Sequence, residues 1–446
     1  MPDALLINPA WPGRVSHRGS RHNRAWPPLD LLNCAAILRG QGLSVELLDL
    51  RARPRPWPEV AQAARGAGLV LLTSSPLDRW QCPNLELERF LALARGLEHP
   101  RLFVTGAHGT LLPQRVLEGS GAAGVILGEP EPAMTGLAAG LSPRQVPGLA
   151  WLQAGRLAHG PARQPLDLTG LPLPAFDLAP PRYYRYEALG GRLALLETSR
   201  GCRQACAFCL KAMYGPGLRA KQPAQVEEEA RRVAALGAGS VYFMDLDFSA
   251  RPDLALEVCQ RLQAARLGLA WCCQARADGL SRELLAAMAR AGCRLIHVGV
   301  ESPSQEVLAG VGKGLELAQV ERVACQARGL GLALACFFLF GLPGETRAQR
   351  RGAAALGRRL GASFCSFHRV TPYPGTPWQA RSAGPDVFQE PQAPPAPDAI
   401  DRDLGRAYLS FYLHPATWPR LAACVGARGM LEGLGLWRGL LRPGRK

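Results

Sequence analysis

The sequence predicts an α/β protein that has an N-terminal doubly wound parallel sheet, a partial six-unit βα barrel and a short C-terminal helical cap. Short apolar runs of strand length alternate with helical stretches from residue 4 to about 140, and again from 193 to 370. Proline-rich stretches at 161–181 and 385–397 separate these parts. The predicted segments are a domain at 1–140, a strap at 141–190, the barrel at 191–380, a linker at 381–400 and a helical region at 401–446.

Five apolar runs of the N-terminal part have the length of strands. They are Ala4–Asn8, Leu43–Leu50, Leu69–Thr73, Leu102–Thr105 and Gly124–Leu127. Parallel sheets bind ligands at the carboxyl ends of their strands. Several small or polar residues lie at the carboxyl ends of these runs or directly after them, namely Asn8, Ser74, Ser75, Gly106, His108, Gly128 and Glu129. We therefore expect a cofactor crevice along this edge, although a turn histidine satisfied by its neighbours is the more ordinary role for His108.

Six further runs alternate with helices in the second half. They are Leu193–Thr198, Ser240–Asp245, Leu269–Gln274, Leu295–Val300, Leu332–Phe340 and Ser363–Val370. Six βα units favour a partial barrel, whose chemistry lies at the carboxyl ends of the strands. In the tail, Leu421–Arg442 mixes apolar residues and arginines at near-helical spacing, which predicts packing against the barrel or, for a membrane-lipid substrate, peripheral contact with an anionic bilayer.

Composition narrows the classes of protein. A chain of 446 residues with 48% hydrophobic and 20% charged residues is long enough for two or three packed domains and is not a disordered protein. Its net charge of +16 could attract phosphates, anionic lipid or an acidic protein donor. Basic runs interleaved with aromatic residues are absent, so we expect no nucleic-acid partner.

Location follows from two further features. The longest uncharged apolar stretch, Leu330–Leu342, is shorter than the roughly 20 residues of a membrane helix. The N-terminus has neither a charged nor an apolar targeting segment, so we expect a cytoplasmic protein. Its 13 cysteines then favour reduced thiols or a metal site over a disulfide framework.

The strongest chemical signal is a cysteine triplet directly after the first barrel strand. Cys202, Cys206 and Cys209 form a C-x3-C-x2-C pattern in a loop. Three thiolates at this spacing can hold one face of a cubane cluster and leave one iron open. The alternative is a structural zinc site that a distant residue completes. The other barrel cysteines have no paired spacing and are expected to be small buried residues.

This triplet, on the loop after the first strand of a six-unit barrel, resembles the radical S-adenosylmethionine (SAM) superfamily over residues 190–378. The resemblance implies that Cys202, Cys206 and Cys209 ligate a 4Fe-4S cluster, which binds SAM at its open iron. Phe208 matches the aromatic residue between the last two cysteines. Lys221 stands where the family pattern has a second arginine.

The resemblance extends to the ends of the later barrel strands. The residues that it implies for SAM binding are Phe208, Asp245, Asp247, Arg276, Glu301, Ser302, Gly341 and Gly344. Each of these positions is weak evidence alone, because acidic strand ends and Gly-x-Pro-Gly turns are common. Tyr373, past the sixth strand, is expected at the mouth of the pocket. The substrate-contacting residues are not identified.

The N-terminal part resembles the cobalamin-binding domain of the cobalamin-dependent class of this superfamily. The residues that the resemblance implies for cobalamin binding are Asn8, Pro28, Leu29, Gly106, His108, Gly128 and Glu129. The Asp-x-His-x-x-Gly motif, which supplies a cobalt ligand in some cobalamin proteins, is absent. A scaffold that binds no cobalamin is therefore the alternative for this domain.

Together these features imply a radical SAM enzyme that cleaves SAM at its cluster and, with cobalamin, methylates an unactivated carbon of a small-molecule or lipid-like substrate. A flavodoxin- or ferredoxin-type protein would donate the electron. Two alternatives stay open. One is radical oxidation or cyclisation without methyl transfer, and the other is a non-catalytic iron–sulfur or zinc protein.

Overall fold

The computed structural model describes residues 1–10, 24–215, 217–381, 386–389 and 398–426. Most of the predicted linker at 385–397 and the tail beyond residue 426 lie outside these ranges. The chain divides into two compact units. Unit 1 comprises Met1–Tyr184, Ala194–Gly237 and Thr371–Ala396, and unit 2 comprises Arg185–Leu193, Ala238–Val370 and Pro397–Lys446.

The first sheet has seven strands in the order β2-β1-β3-β4-β5-β6-β7. Its elements are β1 (Ala4–Asn8), α1 (Leu29–Gly40), β2 (Val45–Asp49), α2 (Trp57–Arg65), β3 (Leu69–Thr73), α3 (Leu87–Arg95), β4 (Leu102–Thr105), α4 (Ala107–Leu111), α5 (Pro113–Ser120), β5 (Gly124–Ile126), α6 (Glu131–Ala138), β6 (Leu149–Gln153) and β7 (Arg156–His159). Strands β1 to β5 pair in parallel, and each of the five predicted runs contains one of them.

Strand β1 explains why this sheet is doubly wound. Its residues are buried on both faces, because Leu5 and Ile7 join one apolar cluster while Ala4 and Leu6 join another. Such continuous apolar strands are typical of parallel sheets that helices cover on both sides. The strand order reverses at β1, and ligands of such sheets bind at the carboxyl ends of the strands beside this reversal.

The predicted strap at 141–190 begins with a hairpin that belongs to the first sheet. Strand β6 pairs antiparallel with β5, and β7 pairs antiparallel with β6. The boundary predicted at residue 140 therefore differs from the strand pairing. Sequence spacing did not reveal this continuation, because a short Gly-punctuated hairpin has the same local pattern whether it pairs with a sheet or stands alone.

The second large sheet is a curled half-barrel in the order β16-β15-β14-β13-β12-β9-β8, and a small sheet of β10 and β11 follows β9 in the chain. Its elements are β8 (Arg185–Tyr186), β9 (Gly190–Leu196), β10 (Ser199–Arg200), β11 (Arg219–Ala220), α7 (Pro223–Ala235), β12 (Ser240–Phe243), α8 (Pro252–Ala265), β13 (Ala270–Ala275), α9 (Arg282–Arg290), β14 (Cys293–Glu301), α10 (Gln305–Gly310), α11 (Leu317–Gly329), β15 (Ala333–Phe340), α12 (Arg347–Arg359), β16 (Phe364–Arg369) and α13 (Ala399–Tyr412). Each predicted barrel run overlaps one strand of this sheet, and the two-residue β8 was not predicted.

Helix α13 protects the outer edge of β16, the last strand of the half-barrel. The Tyr412 hydroxyl donates to the Cys365 carbonyl at 2.9 Å and accepts from the Cys365 amide at 3.2 Å. One helical turn earlier, the Tyr408 hydroxyl makes the same two bonds to Phe367 at 3.2 Å each. Alternate residues of an edge strand leave their amides and carbonyls unpaired. The two tyrosines satisfy these groups.

We predict that Tyr412→Phe lowers the free energy of unfolding by about 1–3 kcal/mol, since it leaves a buried amide and carbonyl of Cys365 without a partner. Urea unfolding monitored by circular dichroism measures the change. The matched control is Tyr183→Phe, because the Tyr183 side chain is exposed. Equal midpoints for Tyr412→Phe and the wild-type protein would contradict this role for the hydroxyl.

Candidate functional site

The three cysteines lie in the segment 201–213, which we call the cluster loop and which leads from β10 towards β11. Cys206 is buried, and Cys202 and Cys209 are half-buried. The amide of Gln204 donates to Cys202 Sγ at 3.4 Å. Burial, together with the neighbouring Cys206 and Cys202 thiols, raises the pKa of Cys209 to about 12. The thiols are therefore close enough to interact.

The donor set fits an iron–sulfur cluster in its chemistry. Three thiols within eight residues are the ligands that such clusters use. Among the described residues, no three His, Cys, Asp or Glu side chains are already grouped around a metal position. The ligand assignment therefore rests on the spacing of the cysteines and on their shared loop. All 13 cysteines are free thiols.

Gly201 allows the cluster loop to begin directly after β10. Its φ of +88° lies in the left-handed region. A Cβ at this position would lie 2.0 Å from the Gly217 carbonyl oxygen. Only glycine meets both constraints without moving the backbone. The residue before the first cysteine thus lets the two ends of the loop approach closely.

A buried network of charged groups, which we call the ion network, holds the base of the cluster loop. Arg200, at the end of β10, contacts Glu197 at 2.8 Å, Glu131 at 2.8 Å and Glu129 at 3.5 Å. The Arg200 side chain is 1% exposed, and the carboxylates raise its pKa despite the opposing effect of burial. The remaining members are Arg219, Lys221 and Glu229.

The ion network links residues that are far apart in sequence. Arg219, on β11, makes a two-fold contact with Glu129, at 2.8 and 2.9 Å. Lys221 contacts Glu229 of α7 at 2.6 Å and Glu197 at 3.8 Å. Burial alone would raise the pKa of Glu197, but Arg200 and Lys221 outweigh it and lower that pKa. Removing one partner from such a buried group leaves an uncompensated charge, at a cost of about 3–5 kcal/mol.

Arg163, from the predicted strap, fixes the far end of the cluster loop. Its guanidinium donates to the Met213 carbonyl at 3.2 Å and the Ala212 carbonyl at 3.4 Å. It also lies directly against Gly128, where any Cβ would collide with it. The φ of +71° favours glycine at position 128, whereas the flexible end of the Arg163 side chain could shift to admit a Cβ.

Glu129 and His108, two of the residues predicted to bind cobalamin, make contacts within the protein. Both Glu129 carboxylate oxygens bind Arg219. His108 is fully buried, and its Nε2 lies 2.6 Å from the Asn84 carbonyl oxygen. Burial lowers the pKa of His108 to about 4. Glu129 and His108 therefore both have partners within the protein, and cobalamin binding by either residue stays a prediction.

Asn8 and Ser74, which the sequence predicts at this edge, form a buried polar rim with Thr73 and Thr105, which it does not predict. Asn8 donates to Asp49 Oδ1 at 2.9 Å, but its own Oδ1 has no hydrogen-bond partner among the described residues. The same holds for the side-chain oxygens of Thr73, Ser74 and Thr105, which are at most 1% exposed. Gly106 leaves room beside this rim, since a Cβ would lie 2.7 Å from Ser74 Oγ.

The start of α1, where the prediction places Pro28 and Leu29, contributes a buried acid. Pro28 and Leu29 are both buried. Asp30 is fully buried, accepts a hydrogen bond from the Leu77 amide at 3.2 Å, and has a second oxygen without a partner among the described residues. Burial, with the nearby Glu131 carboxylate, raises the pKa of Asp30 to about 7. Sequence spacing did not single out Asp30.

In unit 2, two residues predicted to bind SAM have partners within the protein. Arg276 makes a two-fold contact with Asp278, at 3.0 and 2.7 Å, and donates to the Lys313 carbonyl at 2.9 Å. Asp247 Oδ1 accepts from Ser249 and from the Arg276 amide. Both side chains hold the strand ends together. SAM binding by Arg276 and Asp247 stays a prediction.

Glu301 carries the clearest sign of local strain at a strand end. Its φ of +67° is unusual for a residue with a side chain, and the pairing of β14 with β15 shifts between Gly299 and Glu301. Its carboxylate binds Lys313 at 2.8 Å. Strained residues of this kind cluster at functional sites. Ser302 follows it and is fully buried.

The remaining predicted SAM residues lie at strand ends or in loops. Gly341 and Gly344 have φ values of +90° and +71°, and the Gly341 amide donates to Glu345 at 2.6 Å. Asp245 is fully buried, and Phe208 is half-buried in the cluster loop.

One further expectation needs correction. Tyr373 does not lie at an open pocket mouth, because it is 5% exposed and its hydroxyl donates to the Pro83 carbonyl at 3.2 Å. Lys221, which stands where the family pattern has a second arginine, binds Glu229. Sequence spacing does not show which buried partner a polar side chain meets.

The sequence analysis missed a row of aromatic rings on one face of the half-barrel. His297 lies 5.3 Å from Tyr242, 5.4 Å from Phe337 and 6.0 Å from Tyr186, measured between ring centroids. The Tyr186 hydroxyl lies 3.2 Å from His297 Nε2. These rings stand on strands whose alternate residues, such as Phe338, pack on the other face. Period-two alternation along β15 is the signal that could have separated the two faces.

Comparisons with known proteins identify a family and several relatives. Residues 196–356 match the model of the Radical SAM superfamily. The uncharacterized methyltransferase PH0819 of Pyrococcus horikoshii is 25% identical over 87% of this chain and 88% of its own length. The anaerobic magnesium-protoporphyrin IX monomethyl ester cyclase of Rubrivivax gelatinosus is 24% identical over 68% of this chain and 55% of its own length.

One solved structure shares the fold over most of the chain. The radical SAM methyltransferase TsrM from Kitasatospora setae, determined with cobalamin and a [4Fe-4S] cluster bound, has a TM-score of 0.67. It is 23% identical and covers 85% of this chain and 77% of its own chain. Residues 196–356 therefore form a radical SAM domain, as the sequence predicts. The chain as a whole has the fold of this cobalamin-containing methyltransferase.

The sequence predicts no membrane-spanning helix and allows a peripheral contact of the tail with a bilayer. No helix of the described residues is long and apolar enough to span a membrane. The amphipathic segment Leu421–Arg442 lies outside the described residues from position 427 onwards, so its contact with a bilayer stays a prediction.

We predict that Asp30→Asn raises the free energy of unfolding at pH 8 and leaves it nearly unchanged at pH 4. A folded-state pKa of about 7, against 3.8 in the unfolded chain, means that the folded protein keeps a proton that the unfolded chain releases. Stability from this group is thus present below pH 4 and is lost as the pH rises through 7. The gain at pH 8 is on the order of 2–4 kcal/mol.

Urea unfolding of the protein without cofactors at the two pH values measures this difference. Asp177→Asn is the control, because the Asp177 carboxylate is exposed and pairs with Arg39 at the surface. A variant that is equally destabilised at both pH values would show that the Asp30 carboxyl is ionised and needed for packing.

Proposed function

We propose that this protein is a cobalamin-dependent radical SAM methyltransferase that places a methyl group on an unactivated carbon of a small-molecule or lipid-like substrate. One observation carries the proposal. The loop with Cys202, Cys206 and Cys209 begins directly after β10, the short strand that follows the half-barrel strand β9. The ion network fixes the base of this loop to Glu129 and Glu131 at the carboxyl edge of a doubly wound sheet.

The chain's own part in this chemistry is to hold and orient its cofactors. Cys202, Cys206 and Cys209 would hold a 4Fe-4S cluster by three of its irons. When bound, the cluster supplies an electron to the SAM sulfonium and cobalamin carries the methyl group. Gly201 and Arg163 fix the two ends of the cluster loop, so the thiolates need little further ordering.

The buried rim at the carboxyl edge of the first sheet supports cobalamin as the second cofactor. Side-chain oxygens of Asn8, Thr73, Ser74 and Thr105 lack partners among the described residues. A buried polar atom without a hydrogen bond is costly, and corrin side chains are rich in amides that could satisfy such atoms. We propose that these four residues, with Gly106, contact cobalamin, whereas Glu129 and His108 support the fold.

In unit 2 we propose that Glu301, Ser302, Gly341 and Gly344 contact SAM, and that Asp245, Asp247 and Arg276 keep the strand ends in place. Phe208 would cover the cluster from within its own loop. The electron would come from a flavodoxin- or ferredoxin-type protein. An exposed arginine in the cluster loop, Arg203, suits an acidic donor of that kind.

A second candidate function is radical oxidation or cyclisation without methyl transfer. The similarity to the Rubrivivax gelatinosus cyclase favours it, although this chain covers 55% of that protein. The decisive difference is whether SAM is used as a methyl donor. A non-catalytic iron–sulfur or zinc protein would not cleave SAM at all.

We predict that reduced, reconstituted protein forms two products from methyl-deuterated SAM: 5′-deoxyadenosine by reductive cleavage, and S-adenosylhomocysteine by methylation of added cobalamin. Liquid chromatography with mass spectrometry measures both. Replacing Cys202, Cys206 and Cys209 with alanine should abolish 5′-deoxyadenosine. The control is Cys325→Ala, which removes an exposed thiol of α11 and should change neither product.

The outcomes separate the candidates. Formation of 5′-deoxyadenosine without any cobalamin-dependent S-adenosylhomocysteine would favour oxidation or cyclisation. Neither product, from protein that holds four irons per chain, would favour a non-catalytic iron–sulfur protein.

A further inference from the structure

A side chain from a loop of the N-terminal α/β part donates a hydrogen bond to one of the cluster cysteines. Gln81 lies in the loop that follows β3, 128 residues before Cys209, and its Nε2 donates to Cys209 Sγ at 3.6 Å. The contact at Cys202 differs, because there the donor is the amide of Gln204 in the same loop. Gln81 is thus a donor that local folding of the cluster loop does not supply.

The residue before Gln81 is firmly anchored. The Trp80 ring is fully buried, with the Arg200 guanidinium 5.3 Å above it and the Tyr214 ring 5.2 Å away at a steep angle. Arg200 is itself fixed by the carboxylates of the ion network. The backbone of Gln81 is therefore held in a defined position. The contacts that hold it also hold the cluster loop, so the side-chain amide of Gln81 is kept near Cys209.

A hydrogen bond to a cysteine sulfur changes the reduction potential of a cluster. Reduction adds one negative charge, which spreads over the cluster and its thiolates. The positive end of an N–H dipole stabilises the more negative state, and it does so best where water is excluded. Removing such a donor makes the cluster harder to reduce.

We propose that Gln81 is a positioning residue that raises the reduction potential of the cluster through its hydrogen bond to Cys209. The inference rests on the proposed function, because it requires a 4Fe-4S cluster on Cys209. The step it affects is the entry of one electron from an external reductant into the oxidised cluster, and no covalent bond forms or breaks. In this way a residue of the predicted cobalamin domain helps to set how readily SAM cleavage begins.

The test is a redox titration of the reconstituted protein, without SAM or substrate, monitored by electron paramagnetic resonance. Gln81→Leu should keep about four irons per chain and make the reduction equilibrium about tenfold less favourable, which is a midpoint lower by about 59 mV for one electron. Gln81→Asn, which retains an amide but is shorter by one methylene, should shift the midpoint in the same direction. Gln114→Leu removes an exposed amide that bonds Glu118 and should leave the midpoint unchanged.

Two failures are distinguishable. Wild-type protein that assembles no 4Fe-4S cluster would refute the proposed function itself. The inference would be overturned if the wild-type protein assembles its 4Fe-4S cluster and a Gln81 variant that also assembles the cluster has the wild-type midpoint potential. If Gln81→Leu loses iron, the midpoint of Gln81→Asn decides the matter.

Discussion

The buried guanidinium of Arg200 is the interaction on which the arrangement of the cluster loop depends. A buried cation needs partners that compensate its charge. Arg200 binds Glu197, three residues earlier in the chain, and also Glu129 and Glu131 at the edge of the first sheet. Its fourth face lies on Trp80. Because each carboxylate would be costly to bury alone, the path of the chain before Cys202 is tied to that edge.

The same constraint explains why small residues surround the loop. Gly128 leaves space for Arg163, which binds carbonyls at the far end of the loop, and Gly201 lets the backbone pass close to Gly217. The thiols are therefore presented by a segment fixed at both ends. Elsewhere, cysteines such as Cys272 and Cys293 are buried among apolar residues, and burial raises the pKa of Cys272. Such thiols are inert packing groups.

The sequence was sufficient to predict the strands and the cysteine triplet, but not the buried partners of polar residues. Apolar runs located the five parallel strands of the first sheet, because burial on both faces leaves a continuous pattern. Glu129 and Arg219 are 90 residues apart, and nothing near either residue signals the pairing. For the same reason the sequence did not reveal the partners of Arg276, Lys221 and Tyr373, and it missed Asp30 and Gln81.

The central claim is that three thiolates of the cluster loop leave one iron open for SAM. The most direct measurement is electron–nuclear double resonance of the reduced protein with SAM labelled with ¹⁵N at its amino group. The account predicts a hyperfine coupling between the cluster and the labelled nitrogen that appears only when SAM is present. A reduced cluster that forms in full yet shows no coupling to SAM would contradict the account, because it would mean that every iron already has a ligand from the protein.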